Sequence, residues 1–417
     1  MNILIFTDSY PYDTSAEGPL LGRELPHLLQ VADKIVLIPK KCNGVRLKTV
    51  KGVIVDESLA LLLKRNSNLF VLTKNALNLS LFFQELRSHP LLLFKPAKFL
   101  KLVLFSARTK VTQEWTENWL KNHPDWVDNI VLYSYWFTEI AMGLGLVKRK
   151  CPQLKLICRA HGYDIYEEEY FPYYWPLRRQ ALAALDKLFL ASHDGRKYFQ
   201  NHYPEFDDLF ETAHLGVENP GFISEASKDG VFRIISCAFI VPLKRINLLL
   251  AGIALAAKMR PKQKFEWHHF GDGKGKRTLE RAVVSRFPSN ATGYLPGHVP
   301  NGEIMMHYEE NPVDVFVNLS TTEGGAPVSI QEAISCGIPV IATNVGGNPE
   351  IVSERNGILL SPNPTPDEVA QALLKICDNP EMAQKMRSGS RRVWEESYNA
   401  DVNFRAFAEQ LKAIRQG

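Results

Sequence analysis

Residues 314–343 constrain the fold of this chain more than any other segment, because they read in turn as strand, glycine loop, helix and strand. The apolar run 315–319 has the length of a buried strand, and 339–343 has the same character. Gly324 and Gly325 between them permit backbone conformations that other residues resist. Two strands joined by a crossover helix are typical of a parallel α/β sheet.

The same loop predicts a binding site for an anion. Pro327 suits the first turn of a helix, and a helix that begins near Ser329 would direct free backbone N–H groups and a partial positive charge toward the end of the strand. A diphosphate would bind there. Glu332 would lie one turn into the helix, within reach of a ribose hydroxyl pair, so we predict a pocket for a nucleoside diphosphate.

Strand-like apolar runs recur along the whole chain in two sets, separated by segments long enough for crossover helices. The first set lies at residues 3–7, 34–39, 130–135, 154–160 and 187–191. The second set follows a turn-rich boundary at 216–230 and lies at residues 232–237, 265–270, 290–293, 313–319 and 339–343. Helical periodicity fills gaps at 246–259, 278–287, 367–376 and 380–396. We therefore predict an α/β protein with two doubly wound, Rossmann-like domains.

Composition supports two domains and narrows the function. The chain has 417 residues, of which 45% are hydrophobic. A chain of this length is too long to fold around one core. The formal net charge of +4 gives no general argument for nucleic-acid binding. No cleavable signal is visible and no apolar run reaches the roughly 20 residues of a spanning helix, so we expect a cytoplasmic protein, soluble or peripheral to a membrane. Six scattered cysteines predict reduced thiols and no zinc site.

Residues suited to chemistry follow several of the predicted strands. They are His161, Lys244, Gly271, Gly273, Glu323 and Glu332. Because open α/β sheets bind ligands outside the carboxyl ends of their strands, two facing sheets would enclose a cleft lined by these residues.

With these residues in place, the chain resembles the retaining glycosyltransferases of family 4, which have the GT-B fold, and in particular those of bacterial polysaccharide biosynthesis. The resemblance is carried by residues 159–164, 232–250, 269–275, 314–343 and 344–352, and it is strongest from 230 to 360. It implies an acceptor-binding domain at 1–220, a nucleotide-sugar-binding domain at 221–398 and a terminal helix at 399–417 that packs on the first domain.

The family pattern also implies a role for each residue that matches it. Lys244 would neutralise the leaving diphosphate, Glu332 would hold the nucleotide ribose, and His161 would contact the transferred sugar by neutral hydrogen bonding. Glu323 would act at the sugar or diphosphate end. Further donor contacts would come from Gly324, Gly325, Ala326, Pro327, Val328, Arg245, Gly271 and Gly273. The resemblance implies no metal ion, and no cofactor apart from the nucleotide sugar itself.

Two positions depart from the family pattern. The family has an arginine about five residues before the lysine, and this chain has Phe239 there. Its two glutamates are eight positions apart, whereas Glu323 and Glu332 are nine apart, with Gly324 at the expected place. Either the loop bulges by one residue or another group replaces Glu323.

Residues 60–110 form a basic and apolar segment, in which nine lysines and arginines face one acid, Glu85. Lys95, Lys98 and Lys101 suit an anionic membrane surface. Equally, the segment suits a helix packed on the first domain, with its lysines reaching into water. Pro96 argues against one long regular helix.

The leading hypothesis is a metal-independent, retaining transfer of a sugar from a nucleotide-diphosphate sugar to a glycan or lipid-linked glycan acceptor. Two alternatives stay open at this point. A nucleotide-sugar epimerase also uses a GT-B frame, and a scaffold that binds nucleotide sugar without turnover would accommodate Phe239 and the shifted glutamate.

Overall fold

The structure of this chain is a computed structural model that describes residues 1–13, 17–323 and 325–416. The chain divides into two compact units, Met1–His214 together with the segment from Asp401 onward, and Leu215–Ala400. The sequence-based boundary at 220/221 thus lies six residues beyond the observed division at 214/215.

The first unit is built on a seven-stranded parallel sheet. Its strands are β1 (Asn2–Thr7), β2 (Lys34–Pro39), β3 (Val53–Val55), β4 (Ile130–Ser134), β5 (Lys155–Ala160), β6 (Lys187–Leu190) and β7 (Phe210–Thr212). Its helices are α1 (Gly18–Val31), α2 (Ser58–Arg65), α3 (Leu69–Leu77), α4 (Ser80–Ser88), α5 (Pro96–Asn122), α6 (Glu139–Lys150), α7 (Arg178–Leu182) and α8 (His193–His202). The strand order is β3-β2-β1-β4-β5-β6-β7, which is doubly wound from β1 outward.

The second unit repeats this architecture with six parallel strands. They are β8 (Val231–Cys237), β9 (Lys264–Phe270), β10 (Ala291–Gly297), β11 (Val315–Asn318), β12 (Val340–Thr343) and β13 (Gly357–Leu360), in the order β10-β9-β8-β11-β12-β13. The helices are α9 (Ile246–Met259), α10 (Lys276–Arg286), α11 (Asn301–Glu310), α12 (Val328–Ser335), α13 (Asn348–Ile351), α14 (Pro366–Cys377) and α15 (Pro380–Val393). The C-terminal helix α16 (Ala400–Gln416) follows a π-helical turn at Trp394–Tyr398.

Successive side chains of a strand point to opposite faces of the sheet, and in both units the side chains on each face are buried. In β1, Ile3 and Ile5 belong to one buried cluster and Leu4 and Phe6 to another, because successive side chains of a strand point to opposite faces. The first cluster includes Phe407 and Leu411 of α16, so the terminal helix packs against the sheet of the first unit. Strands buried on both faces have continuous apolar sequences, which is the pattern read in the sequence.

The predicted fold class is confirmed: both units are Rossmann-like parallel sheets with helices on their faces. The sequence did not identify β3, β7 and β13, which are strands of three or four residues at sheet edges. The break inferred from Pro96 is confirmed, because a 3-10 helix ends at Phe94 and α5, a helix of 27 residues, begins at this proline. Proline is tolerated at the first helical position, where its missing N–H would have no helical partner.

None of the helices in the described part of the chain is both long enough and apolar enough to cross a membrane.

Candidate active site

Lys244 and Glu323 form an ion pair at the carboxyl edge of the second sheet. Lys244 ends a one-turn 3-10 helix, Pro242–Lys244, that follows β8, and Glu323 lies in the loop after β11. The distance from Lys244 Nζ to Glu323 Oε1 is 2.5 Å, and both side chains are largely buried. The amide of Thr321 donates a hydrogen bond of 2.9 Å to the carbonyl of Leu243, which joins the two loops beside the pair. Adjacent parallel strands therefore bring together two residues that are 79 positions apart.

Asn318 supports this pair and was not identified from the sequence. Its amide nitrogen donates a hydrogen bond of 3.1 Å to the same oxygen of Glu323. Its amide oxygen accepts a bond of 3.0 Å from the backbone of Ser320. Asn318 is the last residue of β11 and therefore occupies the strand-end position where ligand-binding side chains collect, which is the one signal that could have identified it.

Glu332 lies on α12, whose first residue is Val328, with Pro327 immediately before it. Its carboxylate is buried, and its Oε1 accepts a hydrogen bond of 2.7 Å from the side chain of Asn301, the first residue of α11. Burial raises the pKa of Cys237, at the end of β8, to about 12, and the negative charge of Glu332 adds to this rise. Glu332 thus places a fixed negative charge at the same sheet edge as Lys244. Asn301 was also not identified from the sequence.

The loop before α12 packs closely against a second glycine loop. A Cβ at Gly347 would lie 2.4 Å from the carbonyl oxygen of Gly325, so position 347 has no room for a side chain. Gln331 donates a hydrogen bond of 2.8 Å to the carbonyl of Ala326, which holds the loop to the helix. Gly324, one of the predicted donor contacts and the expected place of the family glutamate, lies outside the described residues.

Gly271 and Gly273 are required by the contact between the loops after β9 and β8. A Cβ at Gly271 would lie 1.9 Å from the carbonyl oxygen of Ala238, and one at Gly273 would lie 2.5 Å from that of Ile240. The amide of Ile240 donates a hydrogen bond of 2.8 Å to the carbonyl of Asp272. These glycines therefore fix the path of the loop that leads to Lys244.

Arg245 and Phe239 flank Lys244 but differ in their surroundings. The guanidinium of Arg245 donates a hydrogen bond of 2.7 Å to the carbonyl of Pro362, so it is held by the backbone in this structure. Phe239, at the position of the family arginine, is 71% exposed. Lys244 is consequently the cation that reaches Glu323 at this edge.

His161 lies in the first unit, directly after β5. Its ring centroid is 4.6 Å from that of Tyr135 and 4.5 Å from that of Trp136. Burial and the positive charge of Arg159 hold the pKa of His161 well below its usual value of 6.5, so the ring is neutral at neutral pH. Within the described residues neither ring nitrogen has a hydrogen-bond partner. Because buried polar atoms are normally hydrogen-bonded, this ring is suited to a ligand hydroxyl.

Arg159 and Asp164, secondary candidates at the same strand end, do not pair with each other. Arg159 forms a fully buried ion pair of 3.2 Å with Glu24. Asp164 accepts hydrogen bonds from the backbone amides of His161, Gly162 and Phe137. Asp164 instead fixes the turn that carries His161.

Two Rossmann-like units with charged and glycine residues at the strand ends define the class of fold, which is that of the GT-B glycosyltransferases. The lipopolysaccharide outer core galactosyltransferase WaaB in its apo form has a TM-score of 0.70 to this chain, with 13% identity over 99% of each chain. Anabaena HepE in complex with UDP has a TM-score of 0.61, with 15% identity over 99% of this chain and 100% of its own. At such identities the likeness establishes the fold alone.

Sequence comparison matches one part of the chain to a family model. Residues 222–393 match the family of glycosyl transferases group 1, and this range contains Lys244, Glu323 and Glu332. WcaL of Escherichia coli K12, named provisionally as a colanic acid biosynthesis glycosyltransferase, is 25% identical over 264 residues, which are 61% of this chain and 63% of WcaL. The chain spans 45 to 63% of the length of the first curated relatives that it matches.

Proposed function

We propose that this protein is a retaining glycosyltransferase that moves a sugar from a nucleotide-diphosphate sugar to a glycan or lipid-linked glycan in polysaccharide biosynthesis. The observation that carries the proposal is the Lys244–Glu323 ion pair at the carboxyl edge of the second sheet. This edge lies within the range that matches the glycosyltransferase family, and in parallel α/β sheets it is the edge that binds ligands.

In the proposed reaction an acceptor hydroxyl oxygen forms a bond to the anomeric carbon of the donor sugar. The bond between that carbon and the diphosphate oxygen breaks, and the diphosphate leaves with the electron pair. Lys244 stabilises the added negative charge on the leaving group. The proton of the acceptor hydroxyl passes to the departing phosphate oxygen on the same face of the sugar, so the anomeric configuration is retained. No protein nucleophile and no metal ion takes part.

Each of the candidate residues contacts a different part of the donor in this proposal. Glu332 accepts hydrogen bonds from the two ribose hydroxyls, for which a carboxylate is well suited, and Asn301 orients it from the other side. Glu323 holds the Lys244 ammonium through Oε1 and acts at the sugar or diphosphate end. His161 hydrogen-bonds a sugar hydroxyl as a neutral imidazole. We propose UDP as the nucleotide, since structures of HepE contain UDP and UDP-glucose.

We also propose that the protein binds the cytoplasmic face of an anionic membrane through residues 60–110. Large apolar side chains of this segment are exposed, among them Phe94 at 82%, Phe70 at 77% and Leu91 at 65%. Lys64 and Lys95 are exposed in the same segment. Exposed apolar groups beside cations suit the boundary between lipid headgroups and acyl chains. A lipid-linked acceptor would be presented at that surface.

Calorimetric titration with a panel of nucleoside diphosphates and nucleotide sugars tests the donor part of this proposal. We expect UDP and at least one UDP-sugar to bind, and slow hydrolysis of that sugar nucleotide to accompany binding. Binding with no hydrolysis or transfer under any condition would favour a scaffold. Failure of every nucleotide to bind would contradict the proposal.

A further inference from the structure

A cavity of about 500 Å³ opens in the first unit, beside the N-terminal half of α5. Its wall contains Lys101, Arg108, Trp136, Tyr163 and Trp175, and we refer to it as the Lys101 cavity. Its size and its mixture of apolar surface with a few charged groups are those of a small-molecule site. None of its lining residues has been assigned a role in binding the donor.

Most of the charges in the Lys101 cavity neutralise one another. Lys40 forms ion pairs with Asp8 at 2.9 Å and Glu139 at 3.2 Å. Lys41 pairs with Asp8 at 3.0 Å, and Arg108 lies 3.6 Å from Glu139. Burial raises the pKa of both acids, but the neighbouring cations more than offset it, so both remain ionised.

Glu17, the third acid of the cavity wall, is occupied by the protein itself. Its carboxylate accepts hydrogen bonds from the backbone amides of Asp8, Ser9 and Tyr10 and from the indole of Trp136. The Glu17 carboxylate therefore fixes the loop after β1, and these hydrogen bonds are made to that loop and to Trp136 and not to Lys101.

Lys101 is the exception to this pairing. Among the described residues its ammonium has no carboxylate within ion-pair distance, and it lies 3.8 Å from the ring centroid of Trp175. Burial, together with the nearby positive charge of Arg178, lowers the pKa of Lys101 to about 8. A partly buried cation without an anionic partner is costly in the empty protein. An anion brought by a ligand would remove that cost.

The wall opposite these charges is aromatic. The ring centroids of Trp136 and Tyr163 are 5.0 Å apart, and those of Tyr163 and Trp175 are 5.8 Å apart. The three rings form a continuous surface that ends at the Lys101 ammonium. A sugar ring offers apolar C–H faces that pack on such a surface, and an acidic substituent on it would reach the cation.

We propose that the Lys101 cavity binds an acceptor that carries an oxyanion, with Lys101 as its charge partner and the aromatic wall as the platform for the adjoining sugar. This inference rests on the proposed transferase function and specifies the class of its acceptor. Two sources offer the same chemistry: the diphosphate of a lipid-linked saccharide, and the carboxylate of an acidic sugar.

Titrations with inorganic pyrophosphate and with D-glucuronate test the proposal and separate these sources. Saturating UDP is present throughout, so that the donor site is filled. The variants are Lys101→Met, which keeps an apolar side chain over Trp175, and Lys101→Arg, which keeps the charge. Melting temperatures and the affinity for UDP show whether each variant is intact.

We expect at least one probe to bind the wild type and to bind Lys101→Met at least tenfold more weakly, as for loss of a hydrogen bond to a charged group. Lys101→Arg should stay within threefold of the wild type. Binding of pyrophosphate identifies the lipid diphosphate as the source, and binding of glucuronate identifies an acidic sugar.

The same titrations at pH 7 and pH 9 provide a second readout. An anion binds the protonated amine, so the wild-type affinity should be full below about pH 8 and fall above it, whereas Lys101→Arg stays charged. Because the wild type and Lys101→Arg are titrated with the same probe, their comparison removes the effect of the probe's own change of protonation. The charged groups that face Lys101 are Lys98, Glu139, Glu167 and Arg178, and both proteins share them.

Two results would overturn the inference: neither probe binds the wild type, or Lys101→Met binds as the wild type does. With UDP binding intact, either result leaves the transferase proposal standing. A wild type that fails to bind UDP or any UDP-sugar would instead refute the proposed function.

Discussion

Lys244 owes its place in the mechanism to its contact with Glu323. The ammonium is held at 2.5 Å from a carboxylate that itself accepts a hydrogen bond from Asn318. A diphosphate would bind close to this pre-positioned cation. Because the orientation is already fixed, little reorganisation is required when charge develops on the leaving group.

Lys244→Ala should therefore slow transfer much more than it weakens donor binding. Loss of one such electrostatic contact costs roughly 100-fold in turnover. Steady-state rates alongside calorimetry with UDP measure the two effects separately. Lys258→Ala, an exposed lysine on α9, is the matched control and should behave as the wild type. A Lys244 variant that keeps half of the wild-type rate would remove this residue from the mechanism.

Substitution of Glu332 and substitution of Glu323 should affect UDP binding and sugar transfer differently. Glu332→Gln should weaken UDP and UDP-sugars alike by about 1.5 to 3 kcal/mol, the contribution of a hydrogen bond to a charged group. Glu323→Gln should leave UDP binding near the wild-type value and slow transfer, because it removes the charge that holds Lys244. Calorimetry with UDP and transfer rates for both variants make the comparison.

Glu310→Gln serves as the control for the glutamate pair, since Glu310 is exposed at the end of α11. Equal loss of UDP affinity in Glu323→Gln and Glu332→Gln would show that the proposed division of roles is wrong.

At the residue scale, the sequence identified the groups whose chemistry is visible in their type and context. Lys244 and Glu323 were both named in advance, but their ion pair depends on which strands are neighbours in the sheet. Asn301 and Asn318 escaped notice because a neutral amide after a strand or at a helix start has many ordinary uses. Only their contacts with the two glutamates distinguish them.

At the scale of elements, Lys95, Lys98 and Lys101 of the segment 60–110 do not all face water, as binding of all three to a membrane would require. Lys98 donates a hydrogen bond to the carbonyl of Tyr173, and Lys101 lies over Trp175. Lys95 alone of these three is exposed. The exposed basic groups of this segment include Lys95, together with Lys64 and Lys74 on the preceding helices.

Neutralising Lys64, Lys74 and Lys95 together to glutamine should weaken binding to anionic vesicles by about 1 kcal/mol for each charge. Added salt should weaken wild-type binding in the same direction, because screening acts over about 10 Å at 0.1 M ionic strength. Vesicle co-sedimentation measures both effects.

Phe94→Ala tests the apolar part of the same membrane surface, with Val284→Ala as its control, since Val284 is 86% exposed in the second unit. We expect Phe94→Ala to reduce vesicle binding and Val284→Ala to leave it unchanged. Equal wild-type binding to neutral and anionic vesicles would exclude an electrostatic role for the lysines.

Strands and helices were predicted correctly where they are fully buried, and short strands at the sheet edges were not predicted. The central strands are continuous apolar runs, and the helix Ile246–Met259 was predicted to the residue. Edge strands such as Val53–Val55 have only three or four residues and are partly exposed, so they are too short to show a strand pattern in the sequence. Pro96 marks a helix start, where proline is well tolerated, and it separates α5 from the preceding 3-10 helix Pro90–Phe94.

At the scale of the whole molecule, the proposed mechanism draws its positive charge at the diphosphate from Lys244 and from the start of α12. Transfer should therefore persist at full rate in excess EDTA. Rates measured before and after chelation, and again after addition of Mg²⁺ or Mn²⁺, check this expectation. Activity that disappears with the chelator and returns with a divalent ion would show that a metal neutralises the diphosphate.

The most direct test of the central claim is acceptor-dependent release of UDP from UDP-sugars, with detergent-extracted bacterial lipid-linked glycans as acceptor. The wild type should release UDP faster with acceptor than without it, and Lys244→Ala should release it roughly 100-fold more slowly. The sugar should appear on the extracted glycan with the anomeric configuration of the donor. Equal release with and without acceptor, or equal rates for the wild type and Lys244→Ala, would contradict the account.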